Sequence, residues 1–297
     1  MPSAALIPPD VRARLKDLRL RTRLGASGDG LGQHASRSRG VGLEFAQYRA
    51  YEPGDEPRRI DWKLFARSDR YFVREAERDS PLTVWLVLDA SASMAQRDEA
   101  RPSWSKLDAV KTIAACTIEL ALRQGDRFGI VALAAGGPAL IAAEPGARHR
   151  DRCLLELERI ACGGAWPDES TLRPLWERIR PSSLVLMLSD FFDDAAADLA
   201  VRFAAARREV LTVQMLSAEE RDFPFSGGHR FHDPESGVER RVEAPAVRKD
   251  FLDAFASARA KLGVRFAANG IRHAEYVLDQ PPDTPLRRFF GAEREAR

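Results

Sequence analysis

Oxygen-bearing side chains follow two apolar runs of the sequence. The first run, TVWLVL, ends in an Asp-x-Ser-x-Ser sequence whose polar residues are Asp89, Ser91 and Ser93. The second run, LVLML, is followed by Ser189 and Asp190. A short, continuous apolar run is typical of a strand that is buried on both faces of a parallel sheet. Because ligands of open α/β sheets bind beyond the carboxyl ends of the strands, we expect these side chains to lie close together.

The chemistry that these residues suggest is binding of a hard divalent cation. Mg²⁺ prefers oxygen ligands in an octahedral arrangement, keeps several waters, and is usually held by one or two carboxylates. Asp89, Ser91 and Ser93 could aim a carboxylate and two hydroxyls at one point, and Asp190 could add a second carboxylate. Neutral hydroxyl ligands would leave positive charge that attracts a carboxylate from a partner. For Asp89 alone, a helix cap or a turn is an equally ordinary role.

The elements that must position these residues alternate between strands and helices from residue 81 onwards. Further apolar strands are predicted in RFGIVALA, ALIAA, VLTVQML and near residues 274–278, with helices between them. This alternation predicts an α/β fold with a doubly wound, mostly parallel sheet. A predicted β-hairpin at about 224–245 interrupts this alternation of strands and helices. We therefore divide the chain into a helix and Gly/Ser-rich linker (1–40), a β-rich segment (41–79) and an α/β domain (80–297).

The segment 41–79 carries three stretches with strand-like alternation. These are VGLEFAQYRAY, RRIDWKLFAR and RYFVREAE, and a Pro-Gly-Asp turn at Pro53–Asp55 separates the first two. We expect a small antiparallel β unit. Trp62 and Phe65 could pack on the α/β domain, so that the unit braces the sheet. Alternatively, the unit is a docking face for a partner, with Arg58 and Arg59 as the binding residues.

Composition narrows the functional classes. The 297 residues carry a net charge of only +2, so no nucleic-acid partner is expected. Three scattered cysteines argue against a disulfide framework and against a zinc site. The N-terminal residues lack an apolar signal-peptide core, and no apolar run reaches the roughly 20 residues of a spanning helix. We therefore expect a cytoplasmic protein without a transmembrane segment.

The residues after the two strands resemble the metal-ion-dependent adhesion site of von Willebrand factor A-like domains. The resemblance implies that Asp89, Ser91, Ser93 and Asp190 bind Mg²⁺ or Mn²⁺. A threonine in a middle loop completes the family's site, usually in a Gly-Gly-Thr-like segment. Here the segment CGGAWPDESTL separates the glycines from the hydroxyls, so the implied ligand is Thr171, with Ser170 as the alternative.

The segment before the α/β domain resembles the bacterial domain of unknown function 58 family. The resemblance covers about Val41 to Leu278. The matching residues are Tyr51, Pro53, Gly54, Asp55, Arg58, Ile60, Asp61, Trp62, Ala66, Arg67, Val73 and Arg74. Proteins of this kind are similar to the adhesion-domain partners of MoxR-type AAA+ ATPases. The resemblance implies a non-enzymatic, Mg²⁺-dependent adaptor or assembly factor that grips an acidic residue of its partner.

The alternative is a Mg²⁺-dependent hydrolase, such as a phosphatase or nuclease, in which Asp89 is the acceptor or ligand. Aspartyl phosphatases of the Asp-x-Asp type need a second acid two residues on, where this chain has Ser91. No histidine or lysine is placed by the sequence to act as a general acid or base. The sequence therefore favours a binding module over an enzyme.

Overall fold

The two apolar runs form neighbouring strands at the centre of one sheet. The computed structural model describes residues 6–22, 45–52, 57, 60–76, 81–235 and 237–291. Six strands in the order β10-β7-β6-β3-β4-β5 form this sheet. Their bounds are β3 (Thr83–Asp89), β4 (Arg127–Ala134), β5 (Gly137–Glu144), β6 (Leu184–Ser189), β7 (Glu209–Leu216) and β10 (Arg272–Val277). All pairs are parallel except β4 with the edge strand β5. The predicted doubly wound, mostly parallel α/β sheet is confirmed.

The register of β3 and β6 brings the two polar endings to the same edge. Val84 pairs with Leu184, and the pairing continues in step to Leu88 and Leu188. Asp89 therefore ends its strand at the level where Ser189 ends the neighbouring strand. Because both strands are parallel, both polar endings lie at the carboxyl edge of the sheet, as a ligand site in this class of fold requires.

Helices cover both faces of this sheet, and β3 supplies side chains to both cores. Val84, Leu86 and Leu88 point to one cluster, whereas Trp85 and Val87 point to the other. This is the period-2 alternation of a strand that is buried on both faces. Burial of each such side chain contributes roughly 1.5–3 kcal/mol. Because these side chains hold β3 in its register, they also fix the position of Asp89 at the end of the strand.

The helices have the following bounds in chain order: Pro9–Arg14, Trp62–Ser68, Lys106–Gln124, Ala147–Arg159, Arg173–Arg178, Asp194–Ala205, Ala218–Asp222, Ala244–Ala268 and Thr284–Phe290. The 3₁₀ turns are Ala92–Ala95 and Glu169–Leu172. The helix Lys106–Gln124 packs in the first core. Ser105 and Asp108 form a capping box at its start, and Gly125 (φ 76°) ends it in the left-handed conformation, as the sequence predicts.

The described part of the segment 41–79 combines two strands and one helix. β1 (Phe45–Ala50) and β2 (Phe72–Ala76) pair antiparallel, which confirms the predicted β-rich character. The stretch RRIDWKLFAR was predicted as a strand, and this is wrong, because Trp62–Ser68 is a helix. The Asp61 carboxylate accepts hydrogen bonds from the backbone N–H groups of Lys63 and Leu64 and so caps that helix.

Two further local predictions can be compared with the structure. The predicted hairpin is present as β8 (Gly228–His232) and β9 (Glu239–Glu243), which pair antiparallel. The stretch STLRPLWERI predicts a short helix with Ser170 as its N-cap, and the prediction of this cap is wrong. Ser170 lies inside the 3₁₀ turn Glu169–Leu172, and the residue before the helix Arg173–Arg178 is Leu172.

The chain divides into two units. One comprises Met1–Leu24 and Leu82–Arg297, and the other comprises Gly25–Pro81. In the first unit, the N-terminal side chains of Ile7, Val11 and Leu15 are buried in the first core of the α/β domain. Within the described residues, none of the helices combines the length and apolar character needed to cross a membrane.

Candidate metal centre

Asp89 ends β3 with its carboxylate withdrawn from solvent and held by two donors. Its Oδ1 atom accepts the backbone N–H of Ser91 at 2.9 Å, and its Oδ2 atom accepts the hydroxyl of Ser189 at 2.6 Å. The Ser189 hydroxyl in turn accepts the N–H of Phe191 at 3.0 Å. Ser189 is therefore a positioning residue that links the ends of β3 and β6.

Ser91 and Ser93 follow Asp89 on the same loop. Both side chains are buried, and their Oγ atoms lie 3.0 Å apart. The 3₁₀ turn that begins at Ala92 turns the chain sharply enough for alternate residues to point the same way. The predicted convergence of the two hydroxyls beside Asp89 is present.

Asp190 lies one residue beyond the end of β6 and is also buried. Its Oδ1 atom accepts the N–H of Phe192 at 3.2 Å, and its backbone carbonyl accepts Nε2 of Gln214 at 3.0 Å. Burial, and next the negative charge of Asp190, raise the pKa of Asp89 to about 6. The structure thus brings Asp89, Ser91, Ser93 and Asp190 to one place.

Thr171 lies apart from these four residues in the described contacts. Its side chain is exposed in the 3₁₀ turn Glu169–Leu172, and its hydroxyl donates to the carbonyl of Asp168 at 2.6 Å. Ser170, the alternative, is exposed in the same turn. Among the described residues, no hydrogen bond joins either hydroxyl to the Asp89 loop.

The middle loop reaches the Asp89 loop through its glycines instead. Gly163 donates its N–H to the carbonyl of Ala90 at 2.9 Å, and the carbonyl of Gly164 accepts the N–H of Ala92 at 2.8 Å. A Cβ atom on Gly164 would lie 2.2 Å from Cβ of Ala135, and its φ is +66°, so only glycine fits there. The residue after these two glycines is Ala165, whose side chain has no oxygen that could bind a metal.

Lys106 is the residue of this centre that sequence reasoning missed. Its side chain is fully buried, and Nζ lies 3.3 Å from Oδ2 of Asp190 and 2.7 Å from Oε1 of Glu220. Nζ also lies 4.6 Å from the ring centroid of Phe192. The one sequence signal that could have pointed to Lys106 is its position directly after the Ser105 cap. A positive charge is unfavourable at the N-terminus of a helix because it opposes the helix dipole.

The charge of Lys106 is fixed by its neighbours. Burial lowers the pKa of Lys106, but Asp190 and then Glu220 outweigh burial and raise the pKa above its ordinary value. The sequence predicts that no histidine or lysine is placed for general acid–base catalysis, and Lys106 does lie beside Asp190. However, an ammonium with a raised pKa keeps its proton, so Lys106 is a fixed positive charge and not a general base.

The residues present fit a divalent cation with few carboxylate ligands. Asp190 and Glu220 contact the single ammonium of Lys106, and Asp89 near Asp190 adds a third carboxylate, which leaves an excess of negative charge. Two hydroxyls add neutral oxygen donors, a set that suits Mg²⁺ with retained waters. In the described part of the chain, no group of three or more His, Cys, Asp or Glu side chains is arranged to hold a metal ion.

The proposed docking residues Arg58 and Arg59, and the turn Pro53–Asp55, lie outside the described residues. Nearby aromatic side chains pack on one another within their own unit. The rings of Phe65 and Tyr71 stack with centroids 4.5 Å apart, and Trp62 meets Phe65 edge-on at 6.1 Å.

Comparison with known proteins gives a family and several relatives. The family model described as "Protein of unknown function DUF58" matches residues 47–261. Uncharacterized proteins of Mycobacterium tuberculosis and Mycobacterium bovis are each 32% identical over 292 residues, which span 96% of this chain and 90% of theirs.

Solved structures give weaker likenesses. A conserved hypothetical protein BatB from Bacteroides thetaiotaomicron is 13% identical, with a TM-score of 0.47 over 70% of this chain and 94% of that chain. The VWA domain of SpRpn10 is 10% identical, with a TM-score of 0.39 over 70% of this chain and 95% of that chain. Both scores are low, and the fold assignment rests on the strand order described above.

Proposed function

This chain belongs to the DUF58 family of proteins of unknown function, and we propose that it is a non-enzymatic protein-binding module. In this proposal, Asp89, Ser91, Ser93 and Asp190 hold Mg²⁺ or Mn²⁺, with Thr171 as the middle-loop ligand. The bound protein is a MoxR-type AAA+ ATPase or its client, for which the chain serves as an adaptor or assembly factor.

The observation that carries the proposal is the meeting of two buried carboxylates at the ends of β3 and β6. Asp89 and Asp190 are only 3% and 2% exposed, and burial, followed by the negative charge of Asp190, raises the pKa of Asp89. Two like charges out of water cost several kcal/mol unless a cation compensates them. Of these two carboxylates, Lys106 contacts that of Asp190 and not that of Asp89, so the charge of Asp89 has no cationic partner among the described residues.

The residues of the chain itself do the positioning. Ser189 and the N–H of Ser91 fix both oxygens of Asp89, which leaves the carboxylate little freedom to turn. Lys106 occupies one side of Asp190 and holds that carboxylate in place. When bound, Mg²⁺ would supply Lewis acidity and an open coordination position for a carboxylate oxygen of the partner.

The hydrolase alternative finds less support in the residues around Asp89. Ser91 stands where an Asp-x-Asp phosphatase has its second acid. The lysine that does lie beside Asp190 has a raised pKa and keeps its proton. Neither residue could accept a proton from an attacking water, so we propose no hydrolytic activity for this centre.

A binding experiment with defined components tests the proposal. Wild-type chain and Asp89→Asn are immobilised, and a purified MoxR-type ATPase from the same organism is applied in Mg²⁺ or in EDTA. We expect capture by wild type in Mg²⁺ only and none by the variant, because both treatments leave the partner's carboxylate without its cation.

Two results would count against the proposal. Equal capture by both proteins in both buffers would show that the metal does not bridge the partners. Turnover of p-nitrophenyl phosphate that is abolished by Asp89→Asn would restore the hydrolase. A matched variant, Asp151→Asn, changes an exposed carboxylate on the helix Ala147–Arg159 and controls for the loss of one charge.

A further inference from the structure

We propose that a groove beside the candidate metal centre binds an acidic amphipathic helix of a partner protein. The groove has a volume of about 1320 Å³ and lies between the Asp89 loop, the Asp190 loop, the β8–β9 hairpin and the helix Ala244–Ala268. We call it the aromatic groove. The inference rests on the proposed role as a protein-binding module, but it does not depend on the metal.

A continuous row of phenylalanine rings forms the floor of the aromatic groove. The Phe223 ring packs on Phe251 with centroids 4.7 Å apart and on Phe231 at 5.6 Å. Phe251 stacks on Phe255 at 5.5 Å, and Phe255 meets Phe192 at 6.1 Å. The row therefore runs from the hairpin to the ring that contacts Lys106.

Phe223 is buried, but the other four rings of the row are only partly covered. Phe192 is 51% exposed, and Phe231, Phe251 and Phe255 are half-buried. Aromatic side chains in a concave site are the residues that most often dominate binding between proteins. The volume also exceeds the roughly 300–1,000 Å³ that is typical of small-molecule pockets, so the groove suits a segment of polypeptide.

The helix Ala244–Ala268 indicates the shape of the partner. It has 25 residues, yet only Ala244 and Phe266 are buried. Phe251 and Phe255 are one turn apart on its groove-facing side, and Leu262 continues the lining two turns further on. A long helix with an apolar face that the described residues leave open offers a ridge against which a second helix packs.

The rim of the aromatic groove carries exposed cations that an acidic partner could pair with. Six cationic side chains line the groove, and three of them, Arg230, Arg259 and Arg265, already form ion pairs with Glu239, Glu275 and Asp198. The exposed cations Arg97, Arg240 and Lys261 have no carboxylate partner in the part of the chain that the structure describes. An occupant with Asp or Glu between its apolar residues would pair with these cations.

The position of the groove connects it to the metal centre. Ala92 and Gln96 of the Asp89 loop and Phe192 of the Asp190 loop are among the residues that line it. A partner helix on the phenylalanine row would therefore reach the loops that carry Asp89 and Asp190. The groove would supply apolar contact area, and the metal centre would supply a separate contact with a carboxylate.

Selection from a phage library tests this inference without knowledge of the natural partner. The library displays helices of about 18 residues with randomised positions, and the bait is the full chain in EDTA. We expect enriched sequences to carry Leu or Phe at i, i+3 or i+4 and i+7, with Asp or Glu between them. Fluorescence anisotropy with an enriched synthetic peptide then gives its affinity.

Two groove variants and one control variant locate the binding surface. We expect about tenfold weaker peptide binding for Phe255→Ala and for the double variant Arg240→Glu, Lys261→Glu. The control is Arg148→Glu, Arg152→Glu on the helix Ala147–Arg159, outside the groove, and it should bind like wild type. Circular dichroism checks that every variant is folded.

Several results would overturn the inference. These are no enrichment, enriched sequences without acidic residues, or equal binding by groove and control variants. A dimer of the chain that Phe255→Ala dissociates in sedimentation would assign the groove to a second copy. Asp89→Asn should bind the peptide unchanged. If that variant loses capture of the ATPase but keeps the peptide, the two proposals are separated, because only the metal contact has then been lost.

Discussion

The Nζ atom of Lys106 lies 3.3 Å from Oδ2 of Asp190, although the two residues are 84 positions apart in the chain. Lys106 is 0% exposed and Asp190 is 2% exposed. A buried ammonium is tolerated only when carboxylates pair with it, and Asp190 and Glu220 do so here. Asp190 is thus shared between a lysine and the proposed metal, and Lys106 limits how much negative charge the site offers.

Replacing Lys106 with Met should therefore lower the stability of the metal-free protein and increase the stabilisation by Mg²⁺. The change leaves two carboxylates buried without their cation, and we expect a loss of about 3–5 kcal/mol in the free energy of unfolding in EDTA. Mg²⁺ should restore more stability to this variant than it adds to wild type, because the competing ammonium is gone. Urea unfolding with and without Mg²⁺ measures both quantities.

The control for this experiment is Lys111→Met on the same helix, since the one hydrogen bond of Lys111 to the described residues goes to the backbone carbonyl of Glu158. It should change the unfolding free energy little in either buffer. A Lys106→Met variant that is stable in EDTA and indifferent to Mg²⁺ would contradict the shared role of Asp190.

Asp89→Asn should have opposite effects in the two buffers. The amide keeps the shape of the side chain and removes the repulsion between Asp89 and Asp190, so in EDTA the variant should be at least as stable as wild type. In Mg²⁺, wild type should gain melting temperature and the variant should not, because binding to the native state alone stabilises it. Thermal unfolding in both buffers checks this. A Mg²⁺ gain of equal size in both proteins would exclude Asp89 as a ligand.

Ser189→Ala should weaken the centre without removing a proposed ligand. The Ser189 hydroxyl joins Oδ2 of Asp89 to the N–H of Phe191, and its loss leaves two buried groups without this partner. We expect about 1–3 kcal/mol lower stability in EDTA and a smaller Mg²⁺ effect on the melting temperature. Ser189→Thr, which restores the hydroxyl, should recover the Mg²⁺ effect. Failure of this recovery would indicate that only packing was disturbed.

The central strands of this chain, and the Asp89 and Asp190 loops that follow them, are predictable from local sequence. β3 and β6 are predictable because each is a continuous apolar run that ends in polar residues, and parallel pairing then places both endings at one edge. Their spacing therefore predicts that Asp89, Ser91, Ser93 and Asp190 lie close together, as they do.

Other features depend on contacts that local patterns do not encode. The alternation of apolar and polar residues around Trp62 is typical of a strand, but Asp61 caps a helix that begins at Trp62. Lys106 was missed because its carboxylate partners come from distant parts of the sequence. The aromatic groove needs the hairpin, the helix Ala244–Ala268 and the segment around Phe223 to be brought together, which periodicity cannot show.

Thr171 provides a test of the middle loop. Its hydroxyl is exposed and donates to the carbonyl of Asp168, whereas Ser91 is buried beside Asp89. We expect Thr171→Val to reduce the Mg²⁺-dependent gain in melting temperature less than Ser91→Ala does. An equal or larger reduction for Thr171→Val would show that the loop moves to the metal when the metal binds.

His273 should make the fold sensitive to acid through a group outside the metal centre. Burial lowers the pKa of His273 to about 4, with Arg288 and Arg259 also lowering it and Glu275 opposing them. Its Nδ1 atom lies 2.9 Å from Oγ1 of Thr212, and its ring lies against Phe191 and Phe266. The folded state therefore keeps this ring neutral at pH values where the unfolded chain binds a proton.

The sign of the pH effect follows from that difference. Above the ordinary pKa of about 6.5, neither state carries the proton, and the stability that depends on neutral His273 is fully present. Between about pH 6.5 and pH 4 it falls by about 3 kcal/mol, because only the unfolded state is protonated. Urea unfolding at pH 7.5 and pH 4.5 should show a smaller decrease for His273→Gln than for wild type. His232→Gln, at an exposed position of β8, should decrease like wild type, and a parallel decrease for all three proteins would show that His273 does not control acid stability.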